Sequence, residues 1–304
     1  MSEREDPGTS LDALPETRRT DEPAEAPAQP GAVAWPLVGS RYAPHAILGC
    51  GGMATVFAAT DLRTGAAVAI KRPHRACDAT LEAAVIAEAR AMARVAHPNV
   101  ARVLDAGIDP QGPWLVLERL EGESLHARIV REGARTTWEV AGVMLAVLAG
   151  VQAIHGCGIA HGDLKPSNVI LARVAGGVVP KVIDFGVASH LAGHEQAPEL
   201  LGTPMYMAPE RFTHRAPPSV ASDVWSLGAL LYTCLAGAVP FDGARVADVV
   251  AQVLTHAPRP LPGVPPALCA VIDRAMQRAP EDRFASAHDM GLALRAALRA
   301  SPRG

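Results

Sequence analysis

Neither charge dominates this chain of 304 residues: 28 Lys and Arg face 31 Asp and Glu, for a formal net charge of −3. A chain so balanced lacks the basic field that condenses on nucleic acid or anionic membrane, and neither is expected as a partner. Cysteine is scarce as well. Cys50, Cys77, Cys157, Cys234 and Cys269 stand apart, without a C-x-x-C pair or a histidine cluster at zinc spacing. They give no sign of a zinc module or a disulfide framework and fit reduced thiols in the cytoplasm. The first residues, MSEREDPGTS, are acidic where a signal peptide carries a basic patch and then an apolar run, so export is not implied. Long apolar runs are missing too. VAGVMLAVLAGVQAI from Val140 and VWSLGALLYTCLAGAVP from Val224 fall short of the roughly 18 continuous apolar residues of a membrane span. Both are expected as buried helices, with no membrane span.

What is present suits a folded domain: 49% of residues are apolar and 19% charged, enough for a sizeable core. Residues 1–40 are expected as a disordered leader rich in Pro, Ala, Glu, Asp and Arg, because such a segment buries too little to offset its ordering entropy. Thr9, Ser10, Thr17 and Thr20 are possible phosphoacceptors within it. Residues 41–300 read as one α+β domain. Its first part, 41–120, has three short strands around a glycine turn, a helix over 81–96 and a strand at WLVLERL. Its second part, 121–300, is mainly helical, with short strands at NVILA and PKVIDFG. Two unequal lobes follow, and the cleft between them is the expected site. No internal repeat has a fixed period.

Four motifs carry chemistry. In LGCGGMATVF the glycines Gly49, Gly51 and Gly52 lie between two strands, where a backbone without side chains brings N–H groups close to phosphate oxygens. VAIK ends a strand on Lys71, which points into the interlobe space and needs an anion there. Glu88 on the following helix and nucleotide phosphates are the natural partners. Glu82 competes, but AEARAM centres Glu88 in the helix. AHGDLKPSN, residues 160–168, offers Asp163 to take a hydroxyl proton, Lys165 to neutralise a transferring phosphoryl group and Asn168 to hold a metal ion. DFG, residues 184–186, adds Asp184 as a second metal ligand.

In this order the motifs resemble the protein kinase superfamily, and most closely the bacterial eukaryotic-like (Hanks-type) Ser/Thr kinases. The resemblance runs from about Arg41 to about Leu298 and includes GTPMYMAPE, SDVWSLG and APEDRF. It implies the bilobal kinase fold, ATP and Mg²⁺ as cofactors, and protein Ser/Thr hydroxyls as acceptors. By resemblance, Leu48, Gly49, Cys50, Gly51, Gly52 and Met53 cover the nucleotide. Val56, Ala69 and Ile170 sandwich adenine, and Leu117, Glu118, Arg119 and Leu120 form the hinge. Lys71, positioned by Glu88, holds the α- and β-phosphates, and Asn168 and Asp184 bind Mg²⁺. Glu210 is expected to pair with Arg283, Asp223 to brace the catalytic loop, and His155 and His161 to be structural.

One position departs from the kinase pattern: Gly162 stands where H-R-D carries Arg. Three readings follow. Small-molecule kinases of the aminoglycoside type carry HGD, but they typically lack the Lys matched by Lys165 and the segment matched by Thr203 and Ala208-Pro209-Glu210. A pseudokinase would be expected to lose one of Lys71, Glu88, Asp163, Lys165, Asn168 and Asp184, and all six are present. A live kinase without the Arg cannot read an activation-loop phosphate, and VASHLAGHEQAPELLGTP has no Thr before Thr203. Activity without activation-loop phosphorylation is the expectation. The sequence ends at Gly304, soon after the last expected helix, and leaves open whether more chain follows.

Overall fold

Runs of small and β-branched residues fill the chain after the leader, and they pair as their alternation requires. The structure, a computed structural model, describes residues 35–51, 54–74, 86, 89–184, 204–214 and 216–301. Strands β1 (Tyr42–Cys50), β2 (Ala54–Asp61) and β3 (Ala67–Pro73) pair antiparallel in sequence. β4 (Val103–Asp109) and β5 (Gly112–Glu118) form a hairpin, and β5 lies against β3, so the sheet order is β1-β2-β3-β5-β4. β4 is an addition to the sequence reading. Its VLDAGID pattern hides a strand behind Asp105 and Gly107, and the glycine is there for space. A Cβ at 107 would lie 2.3 Å from the Trp114 ring, which packs with Val38, Tyr42, Val68 and Ile70 in the small-lobe core.

The expected leader boundary at 40 falls inside packed structure. Val38 is buried and bridges Tyr42, and Trp35 sets its ring edge-on to Phe57 at 5.7 Å. Apolar contact orders this stretch, which composition alone had joined to the leader. Residues 1–34 lie outside the described residues. Of the expected helix over 81–96, residues 86 and 89–96 are described: 86 and 89–92 are helical, and the helix ends there rather than at 96, with 93–94 in a turn.

The large lobe begins at β6 (Gly122–Ser124), which pairs with β7 (Val169–Val174); β7 in turn pairs with β8 (Gly177–Val182). Among the described residues the α-helices of this lobe are α1 (Leu125–Glu132), α2 (Thr137–Gly156), α3 (Pro209–Thr213), α4 (Val220–Ala236), α5 (Val246–Thr255), α6 (Pro266–Ala275) and α7 (Ala287–Ala300). Local capping sets two of their starts. Thr136 and Glu139 form a reciprocal capping box on α2, and Ser219 and Ser222 form one on α4. α4 runs through the centre of the lobe, with Val224, Leu227, Ala229 and Leu230 fully buried. α2, at 20 residues, is longer than the apolar run suggested and has the length and apolarity of a span. Its Met144, Val147, Val151 and Ile154 are nevertheless fully buried in the core, as in a core helix.

The lobes are stitched together at residues 99–102. Asn99 O accepts from Val182 N (2.9 Å), Ala101 N donates to Val182 O (2.8 Å), and Asn99 Nδ2 donates to Pro180 O (2.8 Å). Glu118 at the end of β5 accepts from Lys181 Nζ at 2.7 Å and from Arg102 N at 2.9 Å. The result is an α+β fold of two unequal lobes, with β3, β5 and β8 meeting at their junction.

Candidate active site

Strand alternation decides which side chains of the small lobe face the junction. Lys71 pairs across the sheet with Val56 and Leu115, and Ala69, two residues earlier, pairs with Ala58 and Leu117. Lys71, Val56, Ala69 and Leu117 therefore share one face. Thr55 and Arg72 belong to the other face, and Cys50 pairs with Thr55. The Cys50 thiol is exposed and lies 3.6 Å from Thr55 Oγ1, which itself meets His74 Nε2 at 2.7 Å. What Cys50 offers the cleft is thus backbone, not sulfur. Leu48 is half-buried and Gly49 buried beside it, and Gly51 N–H closes the turn onto Ala54 O at 3.0 Å. The readings at Gly52, Met53, Glu82, Glu88 and Thr203 lie outside the described residues.

From the large lobe, β7 and β8 deliver the polar groups. Lys71 Nζ is 3.0 Å from Asp184 Oδ1, so the strand lysine meets the DFG aspartate across the junction. Asp184 sits in the left-handed region at φ 61°, a conformation that is costly for a non-glycine residue and that concentrates at functional sites. Ile183 is gripped from both sides: its N–H donates to Asn168 O at 2.9 Å, and its carbonyl meets His161 Nε2 at 3.0 Å. Those two bonds place Asp184 beside the catalytic loop.

Within that loop two side chains converge on one carboxylate. Lys165 Nζ lies 2.8 Å from Asp163 Oδ2, and Asn168 Nδ2 donates to the same oxygen at 3.1 Å and to Asp163 O at 2.7 Å. The loop hangs from α4. Asp223, buried in the first turn of that helix, accepts from His161 N at 2.7 Å and Gly162 N at 2.9 Å, and meets His155 Nε2 at 2.8 Å. Burial pushes the His161 imidazole below its usual pKa, and the carboxylates of Asp223, Asp163 and Asp184 oppose that shift. Nδ1 accepts from Asp163 N at 3.2 Å, so with Nε2–H on Ile183 O both ring nitrogens serve the neutral ring.

Deeper in the lobe Arg283 pairs with Glu210 through two bonds, Nη1 at 2.8 Å and Nη2 at 2.7 Å, as the resemblance implies. Arg211, next in α3, is half-buried, and its guanidinium donates to Ala216 O at 2.8 Å. Burial lowers its pKa, against the pull of Asp223, Glu210 and Asp163. At the hinge, Glu118 is held by Lys181, and Ile170 pairs with both Ser124 and Lys181 on the floor of the junction. Arg119 is exposed and Leu120 half-buried beyond it. Lys181 and Ile183 are site-forming residues that sequence reasoning missed. Lys181 reaches Glu118 on β5, and Ile183 bonds Asn168 and His161, so each acts on residues far from it in sequence.

A model of the family described as Protein kinase domain matches residues 42–291. The chain is 37% identical over 280 residues to the serine/threonine-protein kinase Pkn1 of Myxococcus xanthus, covering 86% of this chain and 39% of that one. It is 35% identical over 274 residues to the serine/threonine-protein kinase PkaA of Streptomyces coelicolor, covering 85% and 50%. To the probable serine/threonine-protein kinase PknB of Corynebacterium glutamicum it is 32% identical over 272 residues, covering 84% and 42%. The chain thus spans half or less of the length of these three relatives. A solved structure of Rad53 1-466 in complex with AMP-PNP superposes with a TM-score of 0.68 at 26% identity, over 81% of this chain and 62% of that one. On motifs, fold and relatives together, the chain belongs to the protein kinase family, among the bacterial Hanks-type Ser/Thr kinases.

Proposed function

We propose that the chain is a cytoplasmic protein kinase domain that transfers the γ-phosphoryl group of ATP to Ser or Thr hydroxyls of protein substrates. The observation that carries this reading is the Asp163 cluster. Lys165 and Asn168 both address Oδ2 of that carboxylate, which leaves Oδ1 for an incoming hydroxyl. In the transfer a bond forms from the acceptor oxygen to the γ-phosphorus. The bond from that phosphorus to the bridging oxygen breaks, ADP leaves, and the acceptor proton passes to Asp163. Lys165, held 2.8 Å from Asp163 Oδ2, offsets charge on the moving group, and Lys71 on β3 supplies the cation for the α- and β-phosphates. Such positioning and charge stabilisation make up most of phosphoryl-transfer catalysis.

The site's chemistry fits Mg²⁺. Both Nδ2 bonds of Asn168 go to Asp163, so the amide turns its oxygen elsewhere, and with the Asp184 carboxylate it forms a set of hard oxygen donors. Asn168 and Asp184 would hold the ion, which neutralises phosphate charge when bound. The apolar face of Val56, Ala69 and Leu117, with Ile170 below, is suited to a flat adenine ring, and the Leu117–Leu120 backbone to its edge. The free thiols Cys50, Cys157, Cys234 and Cys269 support a reducing compartment. Burial pushes the Cys234 thiol up to about 12, which keeps it protonated and inert.

Incubation with labelled ATP and Mg²⁺, with and without a basic carrier protein, tests the reading against an Asp163→Asn control. Label is expected on Ser or Thr with the native chain. It should fall by about 10³-fold or more in Asp163→Asn while nucleotide affinity stays within about threefold, because the change removes a group acting in the transition state. Equal loss of affinity would make Asp163 structural. Binding without transfer would leave a scaffold or a small-molecule kinase. Turnover is expected to survive phosphatase treatment, since Gly162 offers no cation to an activation-loop phosphate. Its abolition would refute that independence.

A further inference from the structure

At Gly162 the catalytic loop passes through the left-handed region, φ 77°, where glycine carries none of the steric cost of other residues. Its N–H and that of His161 are drawn onto the two oxygens of Asp223. The opposite side of the glycine is filled by Pro218. A Cβ built at 162 would lie 2.7 Å from Pro218 Cγ and 2.9 Å from Pro218 Cβ, closer than real contacts allow. The proline ring thus occupies the volume in which any side chain at 162 would begin.

Pro218 is well placed to hold its ground. It immediately precedes Ser219, the N-cap of α4, whose box with Ser222 is closed by bonds of 3.1 Å and 2.8 Å. Asp223 lies in the first turn of the same helix. Upstream, Arg211 fastens the connecting segment through Ala216 O. One helix start therefore delivers both a rigid ring and a carboxylate to the same two peptide units, and proline's fixed φ limits how far that ring can retreat.

We propose that Pro218 is a positioning residue, a wedge that with Asp223 clamps the backbone of His161 and Gly162 and so sets Asp163 without a guanidinium at 162 or an anion to engage it. The assignment of a catalytic role to Asp163 rests on the kinase reading above. Under this proposal Gly162 is not a lost arginine alone. It is one half of a glycine–proline pair that supplies by shape the order an arginine would supply by charge.

The test uses the full chain with Pro218→Gly, Gly162→Ala and the double variant, read by amide hydrogen exchange over 160–164, by kcat and KM for ATP, and by Tm. Pro218→Gly is expected to raise exchange at His161 and Gly162 about tenfold or more, and to lower kcat about tenfold with KM for ATP within about twofold. Gly162→Ala should do the same. The double variant should lose no more than the worse single, because removing the ring makes room for the new Cβ. Pro218→Ala, which keeps a Cβ but not the ring, serves if Pro218→Gly does not fold, and should fall between. Unchanged exchange at 161–162, losses that multiply in the double variant, or a fall in Tm with exchange raised uniformly would each overturn the wedge. A native chain that transfers no phosphate yet loses protection at 161–162 in Pro218→Gly would support the wedge and overturn the kinase reading instead.

Discussion

Replacing Arg283 by Ala should cost the large lobe about 3–5 kcal/mol, the range for breaking a buried ion pair from one side. The guanidinium side chain is 0% exposed, and its partner Glu210 is 15% exposed. Every N–H of Arg283 is used. Nε donates to Gln277 O at 2.7 Å, Nη1 to Glu210 Oε1 and Ala221 O at 2.8 Å each, and Nη2 to Glu210 Oε2 at 2.7 Å and Arg278 O at 3.0 Å. The Trp225 ring lies beneath, 5.2 Å from ring centroid to the guanidinium carbon. Truncation leaves a carboxylate and three carbonyls without their donors, and ordinary hydrogen bonds contribute about 1 kcal/mol each, with charged ones higher. At about 2–4 °C per kcal/mol for a domain of this size, Tm should fall by about 10 °C. Arg283→Lys, with three donors and no planar fork, should recover part of the loss but less than half. Urea unfolding followed by circular dichroism at constant m-value gives the free energies, and Glu210→Ala completes a double-mutant cycle. A loss under about 1 kcal/mol, or strict additivity with Glu210→Ala, would refute the claim that this cluster acts as one unit.

Acid should destabilise the fold through His161. Its pKa is depressed by burial, so the unfolded chain takes up the proton first. Stability is then full above about pH 6.5 and is lost as pH falls toward the folded value. Melting curves between about pH 7 and 5 should be flatter for His161→Gln than for the native chain, and parallel profiles would refute the assignment. Gly150→Ala reverses the usual gain of alanine in a helix, because the added Cβ would sit 2.6 Å from Asn99 O, which holds Val182 N. A net loss of about 1–2 kcal/mol is expected in urea unfolding, and stabilisation would show that the 99–102 segment yields freely.

The polar machinery was legible because phosphate chemistry demands particular residue types at short spacings. Asp163, Lys165 and Asn168 lie within one loop, and the structure brings them together as that spacing implies. The caps at Thr136 and Ser219, which the sequence reading did not single out, are equally local, since a cap is decided by its next three residues. β4 and the packed stretch at Trp35 and Val38 were not legible, because each is fixed by cross-strand and core contacts and not by its own residue pattern. β4 needs β5 and Trp114, and Val38 needs Tyr42 and the small-lobe core. The outward turn of the Cys50 thiol likewise follows from strand register, which motif spacing does not record.

By itself, then, the sequence determined the family, the lobe order and the residues that can touch phosphate, because those rest on local pattern and on chemistry that few side chains can perform. The tertiary structure decided why Gly162 is a glycine, how Asp184 comes to face Lys71, and how Lys181 ties the hinge to the large lobe. Each of these depends on where a residue remote in sequence is brought by packing. Close contact between remote groups is a property of the folded chain, and no short stretch of sequence contains it.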